Sequence, residues 1–380
     1  MDISLALTHD CNLACTYCYA GAKRRESMSA DTAQRAIDFA FSFNASKLQL
    51  GFFGGEPLIE WDLLQACTEQ AEELAAQSGT TLQKTVTTNG TLLTESRVDW
   101  FHEHGFYPAL SLDGNRAMHD ATRPFCDGRS SFDATLRGLR LLRLKFPEVE
   151  VIVVPDPGNV EHLADSVRFL ADEEQVLRIS INPNFYTEWD EESLGIWRAA
   201  FEEIGDFYLA RHRTGKPVAI NFIDSKVITR LKNGYECRDR CNFGEREIAV
   251  APSGRLYPCE RLIGEDVDAA MSIGNVTDGF DEEKRENVLA RRGNIDAECM
   301  GCEYRARCMN WCCCINYTLT GAIDQTDGIV CFHEQAAIEV ADRVATELFG
   351  ERNPAFLERF YYESGVAPEA KLPASDSSKP

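Results

Sequence analysis

Three closely spaced cysteines near the N-terminus constrain this chain more than any other feature. A short apolar run at residues 3–7 predicts a strand, and it is followed by Cys11, Cys15 and Cys18. Thiolates spaced this closely can converge on one soft metal centre. Three thiolates leave a four-ligand site one ligand short, and His9 either completes a zinc site or caps the end of the strand. An iron–sulfur cluster is the other interpretation, because one of its irons can stay open for a substrate.

Cysteine content and charge narrow the class of protein. The chain has 380 residues and 15 cysteines, and from Met1 it runs into the predicted strand without a basic and apolar signal segment. We therefore expect a cytoplasmic protein whose thiols serve metal or redox chemistry. No apolar run is long enough to span a bilayer, so we expect no membrane association. The net charge of −22 argues against nucleic-acid binding and serves either solubility or attraction of a basic peptide or protein.

Strand and helix signals alternate over residues 1 to about 185. Further apolar runs predict strands at 48–53, 82–88, 107–112, 149–154 and 178–182. Between them, apolar residues recur at helical spacing. Six strand–helix repeats predict an α/β fold with a parallel sheet and helices outside it. Because a closed barrel of this type needs eight repeats, we expect a partial (β/α)6 TIM-type barrel.

Chemically distinctive residues follow these strands at their C-terminal ends. The segments are Cys11–Cys18, Gly54–Pro57, Thr88–Gly90, Ser111–Gly114 and Asn182. Parallel α/β folds build their sites at that edge, so we expect these segments to form one site. The glycine pair in Gly54–Pro57 is typical of a tight turn, and it also lets backbone groups approach a small polar ligand.

The first cysteine motif resembles that of the radical S-adenosylmethionine (SAM) superfamily. Its spacing is C-x3-C-x2-C, with the aromatic Tyr17 directly before the third cysteine. The resemblance covers about the first half of the chain, and it implies that Cys11, Cys15 and Cys18 hold a [4Fe–4S] cluster. It also implies that SAM chelates the fourth iron of that cluster.

The same resemblance implies where SAM is bound. Gly54-Gly55-Glu56-Pro57 matches the segment that binds the methionyl amino group, and Thr88-Asn89-Gly90 and Ser111-Leu112-Asp113-Gly114 match segments near the ribose and sulfonium. His119-Asp120-x-x-Arg123 resembles a segment that follows, although Arg123 is alternatively one partner of a surface ion pair. The implied cofactor-binding residues are Tyr17, Gly54, Gly55, Glu56, Pro57, Asn89, Ser111, Asp113, Arg123 and Asn182.

A second cysteine-rich region occupies the C-terminal half. Its ten cysteines are Cys237, Cys241, Cys259, Cys299, Cys302, Cys308, Cys312, Cys313, Cys314 and Cys331. A zinc ribbon accounts for Cys299, Cys302 and one or two later cysteines but leaves many thiols over. Taken together, the spacings resemble the SPASM domain, a C-terminal extension of peptide- and protein-modifying radical SAM enzymes.

The SPASM resemblance implies two auxiliary [4Fe–4S] clusters. Ligands of the first would be Cys237, Cys241, Cys259 and Cys312, and those of the second Cys299, Cys302, Cys308 and Cys331. Cys237 stands closer to Cys241 than in sulfatase-maturing members, so the first cluster has either this ligand or an open iron. Within the triplet Cys312–Cys314 the identity of the ligating thiol is open, and the spare thiols are either inert or exchangeable ligands.

Glu260 directly follows Cys259 and is a candidate catalytic base. In sulfatase-maturing relatives an aspartate at this place takes the substrate proton. A glutamate retains that chemistry with one more methylene of reach. The alternative interpretation of Glu260 is an ordinary surface residue.

The predicted organisation has five parts. They are a radical SAM partial barrel at 1–186, a helical bridge at 187–236, a SPASM domain at 237–332, a C-terminal helix at 333–366 and a disordered tail at 367–380. We expect no additional module before the first predicted strand. We therefore expect a leader peptide to be recognised by a separate protein or by the bridge.

These resemblances imply an enzyme that cleaves SAM reductively. The resulting 5′-deoxyadenosyl radical would abstract hydrogen from a ribosomally synthesised precursor peptide, giving a thioether or carbon–carbon crosslink. One alternative is an anaerobic sulfatase maturase that makes formylglycine from Cys or Ser. Another is a non-catalytic iron–sulfur electron carrier, which needs no SAM pocket. Expected partners are the precursor peptide, a flavodoxin or ferredoxin reductant, and a separate leader-peptide-binding protein.

Overall fold

The computed structural model describes residues 1–21, 23–267 and 270–362. The predicted tail at 367–380 lies outside the described residues. The chain divides into two compact units, each assembled from separate segments. The first unit comprises Met1–Leu112, Thr122–Val149 and Cys241–Gly293, and the second comprises Asp113–Ala121, Glu150–Arg240 and the chain from Asn294 onward. The five predicted parts remain a prediction about domains. The contacts within the structure group the chain differently, into two units.

The described strands are numbered in chain order. They are β1 (Asp2–Ala6), β2 (Lys47–Phe53), β3 (Thr81–Thr88), β4 (Phe106–Ser111), β5 (Glu150–Val153), β6 (Arg178–Ile181), β7 (Ala219–Ile220), β8 (Glu247–Val250), β9 (Arg255–Tyr257), β10 (Gly274–Asn275) and β11 (Gly279–Phe280). The strands predicted from apolar runs correspond to β1 through β6, with ends that differ by at most one residue.

The described helices are numbered in the same way. They are α1 (Ala30–Ser42), α2 (Trp61–Ser78), α3 (Glu95–Glu103), α4 (Arg116–Thr122), α5 (Phe132–Arg143), α6 (Leu163–Arg168), α7 (Glu191–Arg213), α8 (Asn221–Leu231), α9 (Glu282–Arg291), α10 (Cys313–Thr320), α11 (Gly328–Gly350) and α12 (Pro354–Leu357). Among the described residues, no helix is long and apolar enough to cross a membrane.

The sheet of the first unit is centred on β1. This strand is parallel to both of its neighbours, β2 and β8. Leu5 is opposite Phe52 on one side and Val250 on the other, and all three side chains are buried. A strand covered on both faces carries a continuous apolar run, which is why residues 3–7 predicted it. From β8, the antiparallel strands β9, β10 and β11 extend the sheet outward, while β2, β3 and β4 extend it in parallel on the other side.

The second unit contains the parallel strands β5, β6 and β7. Helix α11 packs against α7 and α8. In this unit the rings of Phe201 and Phe222 stack with centroids 3.9 Å apart, and Trp197 is fully buried beside them. The predicted helical bridge at 187–236 therefore contains α7 and α8 but also β7, a strand of two residues that is too short to give a periodic signal.

Local capping explains several helix boundaries. The Ser29 side chain accepts a hydrogen bond from the Thr32 N–H and begins α1. The Asp327 side chain accepts from the Ile329 N–H and begins α11. Because α11 begins at Gly328, Cys331 lies in its first turn. The prediction of an α/β fold with repeated parallel strands and intervening helices is confirmed.

Candidate functional site

The cysteine loop, residues 8–19, follows β1 and is bound along its length to a later segment. The Ala14 N–H donates to the Pro124 carbonyl at 2.8 Å, and the Thr16 N–H donates to the Thr122 carbonyl at 2.9 Å. In the same stretch, Leu13 forms an isolated antiparallel β-bridge with Phe125. Backbone hydrogen bonds therefore fix the path of the loop that carries the three thiols.

The glycine pair after β2 allows close contact with the cysteine loop. The Gly55 N–H donates to the Thr8 carbonyl at 2.7 Å, and a Cβ on Gly55 would lie 2.0 Å from the Asp10 carbonyl oxygen. Gly54 has φ +125°, and its Cβ would lie 2.6 Å from the Thr8 carbonyl oxygen. The two loops approach so closely that neither position leaves room for a side chain.

Glu56 links the ends of two neighbouring strands. Its carboxylate accepts hydrogen bonds from the Thr88 hydroxyl at 2.7 Å, the Asn89 N–H at 2.8 Å and the Leu58 N–H at 3.1 Å. Burial raises the pKa of Glu56, although these hydrogen bonds oppose the shift. The buried carboxylate thus holds Pro57 and its loop against the end of β3.

The Asn89 side chain is directed at the cysteine loop. Its Nδ2 donates to Asn12 Oδ1 at 2.9 Å and lies 3.8 Å from Cys11 Sγ. Its Oδ1 accepts from the Thr91 N–H at 3.0 Å. Asn89 was predicted to approach the ribose of SAM, and the structure gives it in addition a role in orienting the loop.

Each of the three motif thiols faces an N–H donor. Lys23 Nζ donates to Cys18 Sγ at 2.7 Å, and the Leu13 N–H donates to Cys11 Sγ at 3.4 Å. The Arg123 guanidinium lies 4.0 Å from Cys15 Sγ. Donors of this kind stabilise thiolates and the sulfurs of a metal cluster.

The charges of the three motif cysteines act on the pKa of one nearby cation, Lys23. Burial lowers the pKa of Lys23, but the charges of Cys18, Cys11 and Cys15 outweigh it and the net shift is upward. Burial and the Glu56 carboxylate raise the pKa of Cys11 to about 12. Burial thus disfavours the thiolate form of Cys11 in the absence of a metal.

Three thiols that each face an N–H donor fit the ligand set of a [4Fe–4S] cluster. Within residues 1–21, 23–267 and 270–362, no three His, Cys, Asp or Glu side chains are arranged around one metal ion. In a [4Fe–4S] cluster each thiolate binds a different iron, so its ligands do not converge on a single point. His9 is buried, and its Nε2 has no hydrogen-bond partner in the described part of the chain.

Arg123 is buried against the cysteine loop. Its guanidinium carbon lies 5.2 Å from the centroid of the Tyr17 ring, within cation–π range. The interpretation of Arg123 as one partner of a surface ion pair is therefore wrong. Tyr17 and Arg123 together cover the side of the loop that carries Cys15.

The other predicted SAM contacts are distributed over both units. Ser111 is the last residue of β4 in the first unit. Within the second unit, Asp113 is fully buried and accepts a hydrogen bond from the Val154 N–H at 2.9 Å. Also in that unit, the Asn182 N–H donates to the Val153 carbonyl at 2.9 Å. These contacts place Asp113 and Asn182 at the C-terminal end of β5.

A cleft of about 570 Å³ opens beside the cysteine loop in the first unit. Its lining comprises Asp10, Cys11, Asn12, Lys23, Arg25, Ile59, Phe125, Cys126 and Asp127. The exposed Cys126 thiol donates to the Cys11 carbonyl at 3.2 Å. The sequence interpretation missed Lys23 and Cys126. Only Lys23 had a signal, because it begins a basic run in an acidic chain.

Two of the predicted auxiliary ligands lie near carboxylates in the first unit. Cys241 Sγ donates to Glu247 Oε2 at 2.9 Å. Glu260 follows Cys259 in a short 3-10 turn, is half-buried, and accepts a hydrogen bond from the Ser4 hydroxyl. Burial raises the pKa of Glu260 and the nearby Glu247 charge adds to the shift, while Arg261 opposes it. A raised pKa suits a residue that exchanges protons near neutral pH.

The other two predicted ligands of the first auxiliary cluster, Cys237 and Cys312, belong to the second unit. The Cys237 side chain is exposed and that of Cys312 is half-buried. All 15 cysteines are free thiols in the structure.

A buried ion pair holds the region of the predicted second auxiliary cluster. Lys226 Nζ donates to Glu334 Oε2 at 2.6 Å, and these side chains are 2% and 1% exposed. The same carboxylate oxygen accepts from the Met309 N–H at 2.6 Å, and Lys226 also donates to the Arg307 carbonyl at 3.1 Å. The residues on both sides of Cys308 are therefore fixed to α8 and α11.

Of the four predicted ligands in this region, Cys299 and Cys308 are buried, Cys331 is half-buried and Cys302 is exposed. Glu334 lies three residues after Cys331, close to one turn of α11. Sequence patterning missed Lys226 and Glu334, although each is a charge placed among the apolar residues of a helix.

Comparison with known proteins agrees with this site. The model of the radical SAM superfamily matches residues 5–170. The serine-type anaerobic sulfatase-maturating enzyme of Klebsiella aerogenes is 26% identical over 319 residues, which is 80% of this chain and 76% of that protein.

Two solved structures share the fold. Native anSMEcpe with bound AdoMet and Cp18Cys peptide has a TM-score of 0.76 at 20% identity, over 92% of this chain and 100% of that one. Streptococcus suis SuiB bound to precursor peptide SuiA has a TM-score of 0.61 at 16% identity, over 87% of this chain and 75% of that one. These likenesses agree with the predicted partial barrel. Residues 5–170 therefore form a radical SAM domain, of a family that binds a [4Fe–4S] cluster and SAM, and the chain is homologous to anaerobic sulfatase-maturating enzymes.

Proposed function

We propose that this protein is a peptide maturase that joins two side chains of a ribosomally made peptide by a thioether or carbon–carbon bond. The observation that carries the proposal is the set of three thiols, each facing an N–H donor, beside an open cleft. When bound at these thiols, the cluster and SAM would supply a 5′-deoxyadenosyl radical able to take hydrogen from an unactivated carbon. The peptides bound in the anSMEcpe and SuiB structures support a peptide substrate.

Residues of this chain would prepare the site before any chemistry occurs. Lys23, the Leu13 N–H and Arg123 would hold the thiolates in place, and Asn89 would fix the loop from the opposite side. Glu56 would keep the SAM-binding loop against β3. Preorganised donors cost no reorganisation at the moment of reaction, and this is the contribution a protein makes to a cofactor-driven step.

Glu260 would accept the proton released when the substrate radical forms its new bond. Its carboxylate is half-buried and adjacent to Cys259, a proposed ligand of an auxiliary cluster that would accept the remaining electron. The second proposed auxiliary cluster would be held by Cys299, Cys302, Cys308 and Cys331. A flavodoxin or ferredoxin would supply the first electron, and a separate protein would present the leader peptide.

Formylglycine formation in a sulfatase is the second candidate. The 26% identity to a serine-type sulfatase-maturating enzyme over 80% of this chain favours it. A non-catalytic electron carrier is the third candidate. It would not need the paired glycines and the buried Glu56 beside the cysteine loop.

The first test is release of 5′-deoxyadenosine by reconstituted protein with SAM and dithionite under anaerobic conditions. Release at many equivalents per chain is expected, and an electron carrier would give none. The second test is the mass of a candidate precursor peptide after anaerobic co-expression.

A crosslinked peptide loses two hydrogens, resists fragmentation between the joined residues and does not react with a hydrazide. A serine converted to formylglycine loses the same mass but reacts with a hydrazide and fragments normally. That second pattern, obtained with a co-expressed sulfatase and not with the peptide, would replace the crosslinking proposal.

A further inference from the structure

The three consecutive cysteines of the second unit do not point the same way. Cys312 Sγ and Cys314 Sγ lie 3.7 Å apart. The Cys313 thiol instead donates to the Trp311 carbonyl at 3.6 Å. Two thiols of the triplet therefore form a pair, and the middle thiol is directed elsewhere.

Backbone geometry explains how this pair forms. Residues two apart on a regular helix do not face each other. Cys312 precedes α10 with φ −75° and ψ 89°, outside the helical region, whereas Cys314 lies in the first turn of the helix. The non-helical backbone at Cys312 turns its side chain toward that of Cys314.

The pair rests on an ordered segment of the second unit. The Asn316 N–H donates to the Cys312 carbonyl at 3.0 Å. The Asn316 side chain donates to the carbonyls of Asn310 at 2.9 Å and Ile323 at 3.3 Å. Because these hydrogen bonds fix the backbone, either sulfur can replace the other by rotation of a side chain, without movement of the chain.

We propose that Cys312 and Cys314 are interchangeable ligands for one iron of an auxiliary [4Fe–4S] cluster, an inference that rests on the auxiliary clusters of the proposed function. Each iron of such a cluster has three inorganic sulfides and a single outer ligand, so the two thiols bind one at a time. On exchange, the iron–sulfur bond to Cys312 breaks as the bond to Cys314 forms. The proton leaving Cys314 passes to Cys312, and no electron is transferred.

The test uses the full chain, reconstituted anaerobically with iron and sulfide, in the variants C312S, C314S and C312S/C314S. Serine keeps nearly the size of cysteine, which protects the packing of α10. Iron and acid-labile sulfide are measured per chain, and Mössbauer spectra report whether every iron keeps a sulfur ligand. C313S is the matched control, because its sulfur is directed at the Trp311 carbonyl.

Each single variant is expected to keep the full iron content with all-sulfur ligation, whereas the double variant loses about four irons per chain. Loss of about four irons in C312S alone would identify Cys312 as the sole ligand and overturn the proposal. Full iron content in C312S/C314S would overturn it as well, since neither thiol would then be needed. Wild-type protein holding only about four irons would instead refute the auxiliary clusters of the proposed function.

Discussion

The cysteine loop of the first unit and the cysteine region of the second unit are stabilised by opposite means. The loop is held by backbone hydrogen bonds and by contact with two glycines that leave no room for a side chain. The region around Cys308 is held by Lys226 and Glu334, a buried ion pair between helices. Substitutions that add a methyl group should therefore damage the first region, and substitutions that remove a charge should damage the second.

The largest expected difference between the two regions is in SAM cleavage. Cys15→Ala would remove a proposed ligand of the cluster that binds SAM, and we expect it to abolish 5′-deoxyadenosine release. Cys302 belongs to the other region. Cys302→Ala should therefore retain much of the SAM cleavage but lose the crosslinked product. Cys67→Ala is the control, because Cys67 is buried on the apolar face of α2. Full product formation by Cys302→Ala would make the second auxiliary cluster dispensable.

Gly55→Ala should be nearly as severe, because the added Cβ would lie 2.0 Å from the Asp10 carbonyl oxygen. The cysteine loop must move to relieve that contact. We expect loss of most of the iron at this site and of SAM cleavage, with the far-ultraviolet circular dichroism retained. Gly195→Ala, where a Cβ meets no atom within 4 Å, is the control. Normal iron content and cleavage in Gly55→Ala would mean that the close approach is not required.

The third prediction concerns the buried ion pair. Lys226→Met leaves the buried Glu334 carboxylate without its cation and with only the Met309 N–H on that oxygen. We expect a loss of about 3–5 kcal/mol in the free energy of unfolding, measured in urea. The double substitution Lys226→Met, Glu334→Leu should recover much of that loss, since both charges are gone. Arg213→Met removes one partner of an exposed pair with Glu347 and should change stability far less. Equal effects of the two methionine substitutions would mean that burial does not make the Lys226–Glu334 pair more important than an exposed pair.

The strands could be predicted from the sequence, and candidate ligands could be proposed from it, because both leave local signals. An apolar run marks β1, and three cysteines within eight positions mark the loop that follows it. The pairing of β1 with β8 had no such signal, since Asp2 and Glu247 are brought together only by folding. A two-residue strand such as β7 is likewise invisible to periodicity.

Side-chain partners across the fold were the least predictable part of the site. Asn89 was recognised from its place after β3, but its contact with Cys11 depends on the path of a loop 78 positions away. In the sequence, Lys226 and Glu334 are each a single charge on a predicted helix. Only the structure shows that they pair, although they are 108 positions apart. Sequence patterns identify the residues that carry chemistry, whereas the residues that hold them in place emerge only from packing.

The smallest expected effect is at Glu260, in the part of the first unit that would contribute ligands to an auxiliary cluster. Burial raises the pKa of Glu260, so its carboxylate is protonated at a higher pH than that of a free glutamate. If the carboxylate is the base, product formation falls as the pH drops through this raised pKa, while 5′-deoxyadenosine release is less affected. Glu260→Gln should lower product formation at every pH and abolish that acid limb, with unchanged iron content.

Glu282→Gln, at an exposed position in the first turn of α9, is the matched control for Glu260→Gln and should keep the wild-type pH profile. A Glu260→Gln enzyme with the wild-type profile and rate would assign the proton to another group.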